Sequence, residues 1–319
     1  VGSGSSATRE GRSGAPGAPG APERRRAIGY ASVGGASLIM GSIGVMVRYA
    51  TAPASMLLVM RMAIGGVVVG YLFARAGAHA DLRQPGVPKR LVLVGVVAAG
   101  NLLCYFTAIR YTDVAVAIFT SYMAPVYVAL VSPLVLKQPT EKAVYGALGL
   151  SLTGMGVILV PGLIARGAHL SAFGVAAGIV AGVLYAAFLI IAKGLRTHVS
   201  QYTVVLAECV ATTALLLPLG LYQTIATGYH ITLRDLTMAV LLGVLNTALS
   251  FSLFQHGLRF IRVQHASILG YLEPVSAPLY AFIFLSEKPA LWTIAGGALI
   301  IAAGVLVVAL GRAEEEPLP

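Results

Sequence analysis

Tyr122-Met123-Ala124-Pro125-Val126 and Tyr271-Leu272-Glu273-Pro274-Val275 repeat each other 149 residues apart, each inside a long apolar stretch. At the same offset Val114–Gln138 and Val263–Glu287 share seven identities, at Val, Ala, Tyr, Pro, Val, Leu and Leu. Arg110-Tyr111 and Arg259-Phe260 extend the match upstream. A chain that repeats itself on this scale within apolar sequence reads as two membrane halves, and paired halves enclose a substrate site between them.

Working outward from the repeat, the chain has 319 residues, of which 57% are hydrophobic and 11% charged. Its mean hydropathy is +0.84. No single soluble core hides that much apolar surface, so bilayer hydrocarbon must take it up. A span needs roughly 20 apolar residues. Ten windows qualify: Ile28–Val47, Ala54–Ala74, Leu91–Ile109, Val114–Leu136, Ala143–Val160, Phe173–Ala192, Val204–Tyr222, Met238–Leu258, Val263–Leu285 and Ala290–Leu310. The predicted fold class is an all-α polytopic membrane protein, with ten helices as a five-plus-five inverted repeat around a central cavity.

The net charge of +10 does not form a basic groove interleaved with aromatics on a soluble fold, so it predicts no nucleic-acid partner. Its placement carries the information. With the N-terminus cytoplasmic, the inner regions hold sixteen Lys and Arg residues and the outer loops five, Arg48, Arg110, Arg166, Arg234 and Lys288. That asymmetry obeys the positive-inside rule and puts both termini on the cytoplasmic side of the cell inner (plasma) membrane. Residues 1–26, rich in Gly, Ser and Pro up to Glu23, read as a disordered cytoplasmic tail. Residues 27–165 and 170–312 are the expected first and second repeats, and 313–319 a short cytoplasmic tail. Arg24-Arg25-Arg26 before an apolar run imitates a signal peptide, but Ile28–Val47 is long enough to span, and a retained first helix is expected.

An odd number of spans per half starts the sixth segment on the side where the fifth ended, which inverts the second half relative to the first. A second alignment agrees: Met40-Gly41-Ser42 with Arg48 eight residues on corresponds to Tyr185-Ala186-Ala187 with Lys193 eight residues on. Gly146 and Gly154 match Gly296 and Gly304. Close packing between membrane helices favours small residues, and Gly66/Gly70 and Gly174/Gly178/Gly182 stripe single helix faces accordingly. Pro125 and Pro274 each remove a backbone donor and predict paired helix bends beside a cavity, with plain packing kinks as the alternative.

Ionisable groups inside a bilayer are expensive, which singles out Arg61, Glu208 and Glu273. Glu273 lies about ten residues into the ninth segment, roughly 15 Å at 1.5 Å per residue, close to the midplane. It reads as a proton site, a partner for a substrate ammonium, a structural hydrogen-bonding group, or an ion-pair partner of Arg61. Glu208, a few residues into the seventh segment, is placed where its carboxyl reaches the cytoplasmic interface. A substrate cavity is predicted from the polar and aromatic residues flanking the repeat contacts: Ser42, Asn101, Tyr105, Ser121, Tyr122, Asn246, Ser250, Ser267 and Tyr271. Met40 and Tyr185, repeat-related on the first and sixth segments, supply apolar walls.

Cys104 and Cys209 each fall within a span and have no zinc-ligand spacing; His256 and His265 are isolated, so no metal site is expected. No lysine follows a glycine, which rules out a Walker A loop, and the His-Glu-x-x-His and Gly-x-Ser-x-Gly signatures are missing. No cofactor is implied.

Tyr271-Leu272-Glu273-Pro274-Val275, the run ending in Leu285-Ser286-Glu287, and the spacing from Gly296 to Gly304 resemble the end of the second repeat of EamA-type ten-helix members of the drug/metabolite transporter superfamily. Arg61 near the start of the second segment fits the same pattern, and the resemblance covers residues 27–311. It implies a bundle in which helices one, three, four, six, eight and nine surround a cavity, and export of a small metabolite by alternating access. Within the superfamily the chain looks closest to YddG-type amino-acid exporters. It departs at Gln138, where a glutamate often ends the fourth helix, and at Met40, where a tryptophan is common.

The function expected is a secondary transporter, not an enzyme, exporting amino acids or similar small metabolites. Its partners are a small-molecule substrate and the lipid bilayer, and monomer and homodimer both remain open. An exporter of cationic drugs or polyamines, using Glu273 and cavity tyrosines, is the alternative of the same class. An intramembrane enzyme using Glu273 and a histidine is the alternative of another class.

Overall fold

The computed structural model describes residues 21–137, 139–166 and 171–311. Gln138, residues 1–20 of the expected N-terminal tail and the C-terminal tail 313–319 lie outside the described residues. Ten helices are long and apolar enough to cross a membrane: α1 Glu23–Tyr49, α2 Ala54–Arg75, α3 Val87–Tyr111, α4 Val114–Val135, α5 Lys142–Ile164, α6 Ala172–Arg196, α7 Gln201–Ala226, α8 Leu233–Leu258, α9 Val263–Leu285 and α10 Leu291–Leu310. Consecutive helices run antiparallel, so the loops fall on two faces. The one carrying the start of α1 and the end of α10 is the terminal face.

Several helices extend past their apolar windows because local chemistry satisfies polar residues at their ends. Helix begins at Ala21, inside the segment expected as tail. Arg26 ties this first turn to the end of α10 by donating to the carbonyls of Val308 and Gly311. At the start of α8, Thr232 and Asp235 form a capping box. The Asp235 carboxylate also accepts from the backbone of Thr51 at 2.7 Å and Ala52 at 2.9 Å, so a fully buried charge is held within a helix start.

The inversion is written in which helices touch. α3 packs on α6 as α1 packs on α8, and α3 meets α7 as α8 meets α2. The pairs α2–α7, α4–α9 and α5–α10 each join a helix to its own repeat counterpart. Every one of these relations maps onto itself when the halves are exchanged. α5 and α10 cross where Gly154 and Gly296 meet, and a Cβ on Gly154 would lie 2.6 Å from the Gly296 carbonyl oxygen. Such an approach is closed to any larger residue. The α3–α7 and α8–α2 crossings follow the same logic at Gly95 against Ala211 and Gly243 against Ile64.

Helices α4 and α9 are each broken at the repeated motif, α-helix running Val114–Ser121 then Ala124–Val135, and Val263–Leu269 then Leu272–Leu285. Proline explains both breaks. Pro125 and Pro274 offer no N–H to the carbonyls four residues earlier, and their rings press on those carbonyls. The chain answers with three-residue turns, Val126 N donating to Met123 O at 2.9 Å and Glu273 N to Gly270 O at 3.1 Å. The Tyr122 carbonyl is thereby left without its usual helical donor.

α8 carries a π-helical stretch over Leu242–Leu249. Widened turns of this kind shift the register of everything beyond them.

Candidate functional site

The Tyr271 hydroxyl donates to the Tyr122 carbonyl that the break in α4 releases. The two rings stack with centroids 6.0 Å apart. Repeat-equivalent residues thus meet at the pseudo-two-fold axis, beside a cavity of about 580 Å³.

About half of the cavity lining falls into repeat pairs. At the offset of 149 residues it takes Leu102 with Phe251, Tyr105 with Phe254, Phe106 with Gln255, Tyr122 with Tyr271, and Ala124 with Glu273. At 145 it takes Met40 with Tyr185 and Ile43 with Phe188, and at 147 Arg61 with Glu208. The last register is fixed independently by burial: Leu57, Leu58, Met62, Gly65, Val69 and Phe73 of α2 are buried, and so are Val204, Val205, Cys209, Thr212, Leu216 and Gly220 of α7. Seven positions coincide when Arg61 and Glu208 are counted with them. The cavity straddles the axis between the halves.

Of the residues expected around the site, Met40, Arg61, Asn101, Tyr105, Ser121, Tyr122, Pro125, Tyr185, Ser267, Tyr271 and Glu273 line it. Pro274 is not among the lining residues, although its neighbour Glu273 is. Ser42, Asn246 and Ser250 do not line it, which corrects the sequence expectation. The Asn246 amide donates to Ser42 Oγ at 3.2 Å, and Ser42 donates to the Ile39 carbonyl at 2.7 Å, so these two staple α1 to α8. Ser250 donates to the Leu245 carbonyl, five residues back along the π-helix. Asn246 lies within the π-helical stretch and Ser250 directly after it.

Glu208 is the larger correction. It does not reach an interface: it is 7% exposed and lines the cavity, because α7 starts at Gln201 and carries Glu208 deeper than the apolar window implied. The lining residues therefore include α2 and α7 besides the six helices expected.

Three ionisable side chains face this space. Arg61 donates from Nε to Thr247 Oγ1 at 2.9 Å, a partner set by the π-helical stretch, and its guanidinium carbon lies 5.4 Å from the centre of the Phe251 ring. Glu273 shares the chamber wall with Tyr122. Glu208 makes no hydrogen bond or ion pair among the described residues. One cation and two carboxyl groups thus share an apolar chamber walled by Phe106, Phe188 and Phe254.

The two ends of the chamber differ. Towards the face opposite the termini the lining continues to Val47, Ala54 and Val114, at the ends of α1, α2 and α4. Towards the terminal face it stops at Phe254 and Gln255, and packed polar groups lie beyond. Lys193, 3% exposed, donates to the carbonyls of Leu258 and Ile261, each at 2.9 Å. Arg196, 1% exposed, donates to the Gln255 carbonyl at 2.7 Å. Nearby, Arg262 pairs with Glu141 at 3.2 Å and Tyr30 bonds His265 at 2.8 Å. Arg48, the repeat partner of Lys193, instead lies exposed and paired with Glu287.

The sequence pattern of the EamA-like transporter family matches residues 27–160 and again 172–310. The chain belongs to the EamA-like transporter family. This EamA-like chain is 31% identical over 280 residues to an uncharacterized transporter of Archaeoglobus fulgidus, covering 88% of this chain and 95% of that protein. It is 30% identical to the pseudopaline exporter CntI of Pseudomonas aeruginosa, covering 83% and 89% of the two chains. A probable terminal-alkyne amino-acid exporter of Streptantibioticus cattleyicolor is 26% identical, over 79% of this chain and 85% of its own. A solved crystal structure shares the fold at a TM-score of 0.74 and 20% identity, covering 92% of this chain and 99% of its own. The EamA-like chain is a multi-pass membrane transporter of small molecules.

Proposed function

We propose that this chain is a secondary transporter that exports amino acids or similar small metabolites across the cell inner membrane by alternating access. One observation carries the reading: a cavity lined by residues of both repeats reaches one face and is sealed towards the other. In an inverted repeat the conformations of the two halves are exchangeable, so a second state with the opposite seal has the same local geometries available. The moving units are the two repeats, residues 27–165 and 170–312. Its relatives carry transporter and exporter names, one of them for an amino acid, which favours transport over an intramembrane reaction.

The terminal face is cytoplasmic on the distribution of Lys and Arg, so the state described is open to the outside. Met40, Asn101, Tyr105, Ser121, Tyr122, Tyr185, Ser267 and Tyr271 bound the substrate space. Glu273 is the coupling site. With two carboxyl groups facing one guanidinium, the resting chamber balances its charge by holding one proton. Arg61 in the same chamber disfavours polyamines and lipophilic cations as the preferred cargo.

Labelling of single cysteines tests the mechanism, after Cys104 and Cys209 are replaced by serine. A cysteine at Ala54 is expected to react readily from outside and one at Ser267 slowly from inside, with the order changing when saturating amino acid is present. One accessibility pattern that no substrate alters would contradict alternating access.

A further inference from the structure

Arg61 and Glu208 are the same position in the two repeats, and they carry opposite charges. Both are more than nine-tenths buried, and both line the cavity. Other buried charges among the described residues are answered locally: Lys193 and Arg196 by backbone carbonyls, Asp235 by hydroxyls and backbone N–H groups. Glu208 has no such answer. Nor does it close on Arg61, since no ion pair within 4.0 Å joins them. Arg61 has committed Nε to Thr247, which leaves its terminal nitrogens to the chamber. A carboxyl group that faces the chamber without a protein donor is left to pair with what enters the chamber.

We propose that Arg61 and Glu208 are the two poles of a site for a zwitterion, a molecule bearing one carboxylate and one ammonium group, and that they determine specificity for it. The proposal rests on the reading of the cavity as the transport site. The carboxylate of the ligand takes the guanidinium edge of Arg61, which Thr247 and Phe251 orient. The ammonium donates to Glu208, and its remaining protons face the hydroxyl-bearing wall of Tyr105 and Tyr185. The chamber is apolar elsewhere, so the side chain of the ligand meets Phe188 and Phe254. Broken symmetry is what makes this possible: two like residues at these positions would repel each other or select a doubly charged ligand, whereas opposite ones hold a dipole across the axis between the halves.

The test is binding of L-phenylalanine, 3-phenylpropionate, which lacks the amine, and 2-phenylethylamine, which lacks the carboxylate, to the full chain purified in detergent. The analogues are smaller than the parent, so steric exclusion cannot explain their loss. Wild type is expected to bind phenylalanine about tenfold or more tightly than either analogue, the effect of one charge-assisted hydrogen bond. Glu208→Gln should erase the preference over 3-phenylpropionate while keeping the preference over 2-phenylethylamine, and Arg61→Gln should do the reverse. Glu208→Asp, which keeps the charge, should retain the wild-type order. Because each variant serves as its own reference, a partial loss of folded protein leaves the ratios readable. Equal binding of the three ligands by wild type, no binding of any, or wild-type ratios in both neutral variants would overturn the assignment. Binding with the expected ratios but no phenylalanine flux in proteoliposomes would leave the site standing and sink the transport reading instead.

Discussion

Tyr271 of the second repeat donates its hydroxyl to the backbone carbonyl of Tyr122, its counterpart in the first, and the two rings stack at 6.0 Å. The contact exists because Pro125 breaks α4 and frees that carbonyl. It ties the two halves at the axis about which they are related.

Tyr271→Phe keeps the ring and removes the donor, leaving the Tyr122 carbonyl buried and unanswered. A loss of about 1–3 kcal/mol in stability is expected. Denaturant or thermal unfolding of the purified protein measures it, and a variant as stable as wild type would show that the bond contributes nothing.

Gly154→Ala places a methyl group against the Gly296 carbonyl at the α5–α10 crossing. The helices must separate or tilt, at a cost of about 1–3 kcal/mol. Gly156→Ala, whose added carbon meets nothing within 4 Å, is the control and should be close to neutral in the same unfolding assay.

Lys193 closes the terminal face by holding the carbonyls of Leu258 and Ile261. Lys193→Met removes hydrogen bonds of a charged donor, each worth about 1.5–3 kcal/mol, from one state and none from a state in which that face has opened. Labelling of a Ser267→Cys reporter from the cytoplasmic side should therefore rise about tenfold or more. An unchanged labelling rate would remove Lys193 from the seal.

Glu273→Gln keeps the hydrogen-bonding shape of the side chain but cannot exchange a proton. Exchange of amino acid across proteoliposomes should persist, while the acceleration produced by an imposed pH gradient should vanish. Retained gradient sensitivity would place the coupling proton elsewhere; loss of all exchange would assign Glu273 to binding or packing.

Much of the fold is legible in the sequence because the bilayer imposes one coarse rule, a long apolar helix, and the Tyr-x-x-Pro repeat adds a symmetry. The ten spans and the breaks at Pro125 and Pro274 follow from these. Glu208 lies deeper than the apolar window implies because Gln201, Tyr202 and Thr203 lower local hydropathy, so that window starts at Val204 and omits the first turn of the helix. Aligning α2 with α7 at 147 residues would have found it, since Leu57-Leu58 and Val204-Val205 place Glu208 opposite Arg61. Ser42, Asn246 and Ser250 failed for another reason. Asn246 and Ser250 lie in and directly after the π-helical stretch over Leu242–Leu249, and Ser42 lies in the turn that interrupts α1 after Met40, and nothing in the composition of either segment announces these irregularities. Tyr30 and His265, joined across 235 residues, were out of reach because their contact depends on tertiary packing alone.

The central claim, export of an amino acid or similar small metabolite through the cavity between the repeats, is tested most directly by counterflow. Proteoliposomes containing the full chain are loaded with unlabelled L-phenylalanine and diluted into a trace of labelled phenylalanine, with a panel of other amino acids run in parallel. The account predicts transient accumulation of unmodified label above its equilibrium level, abolished when Arg61 and Glu208 are both neutralised. No counterflow for any member of the panel, or label recovered as a chemically altered product, would contradict it.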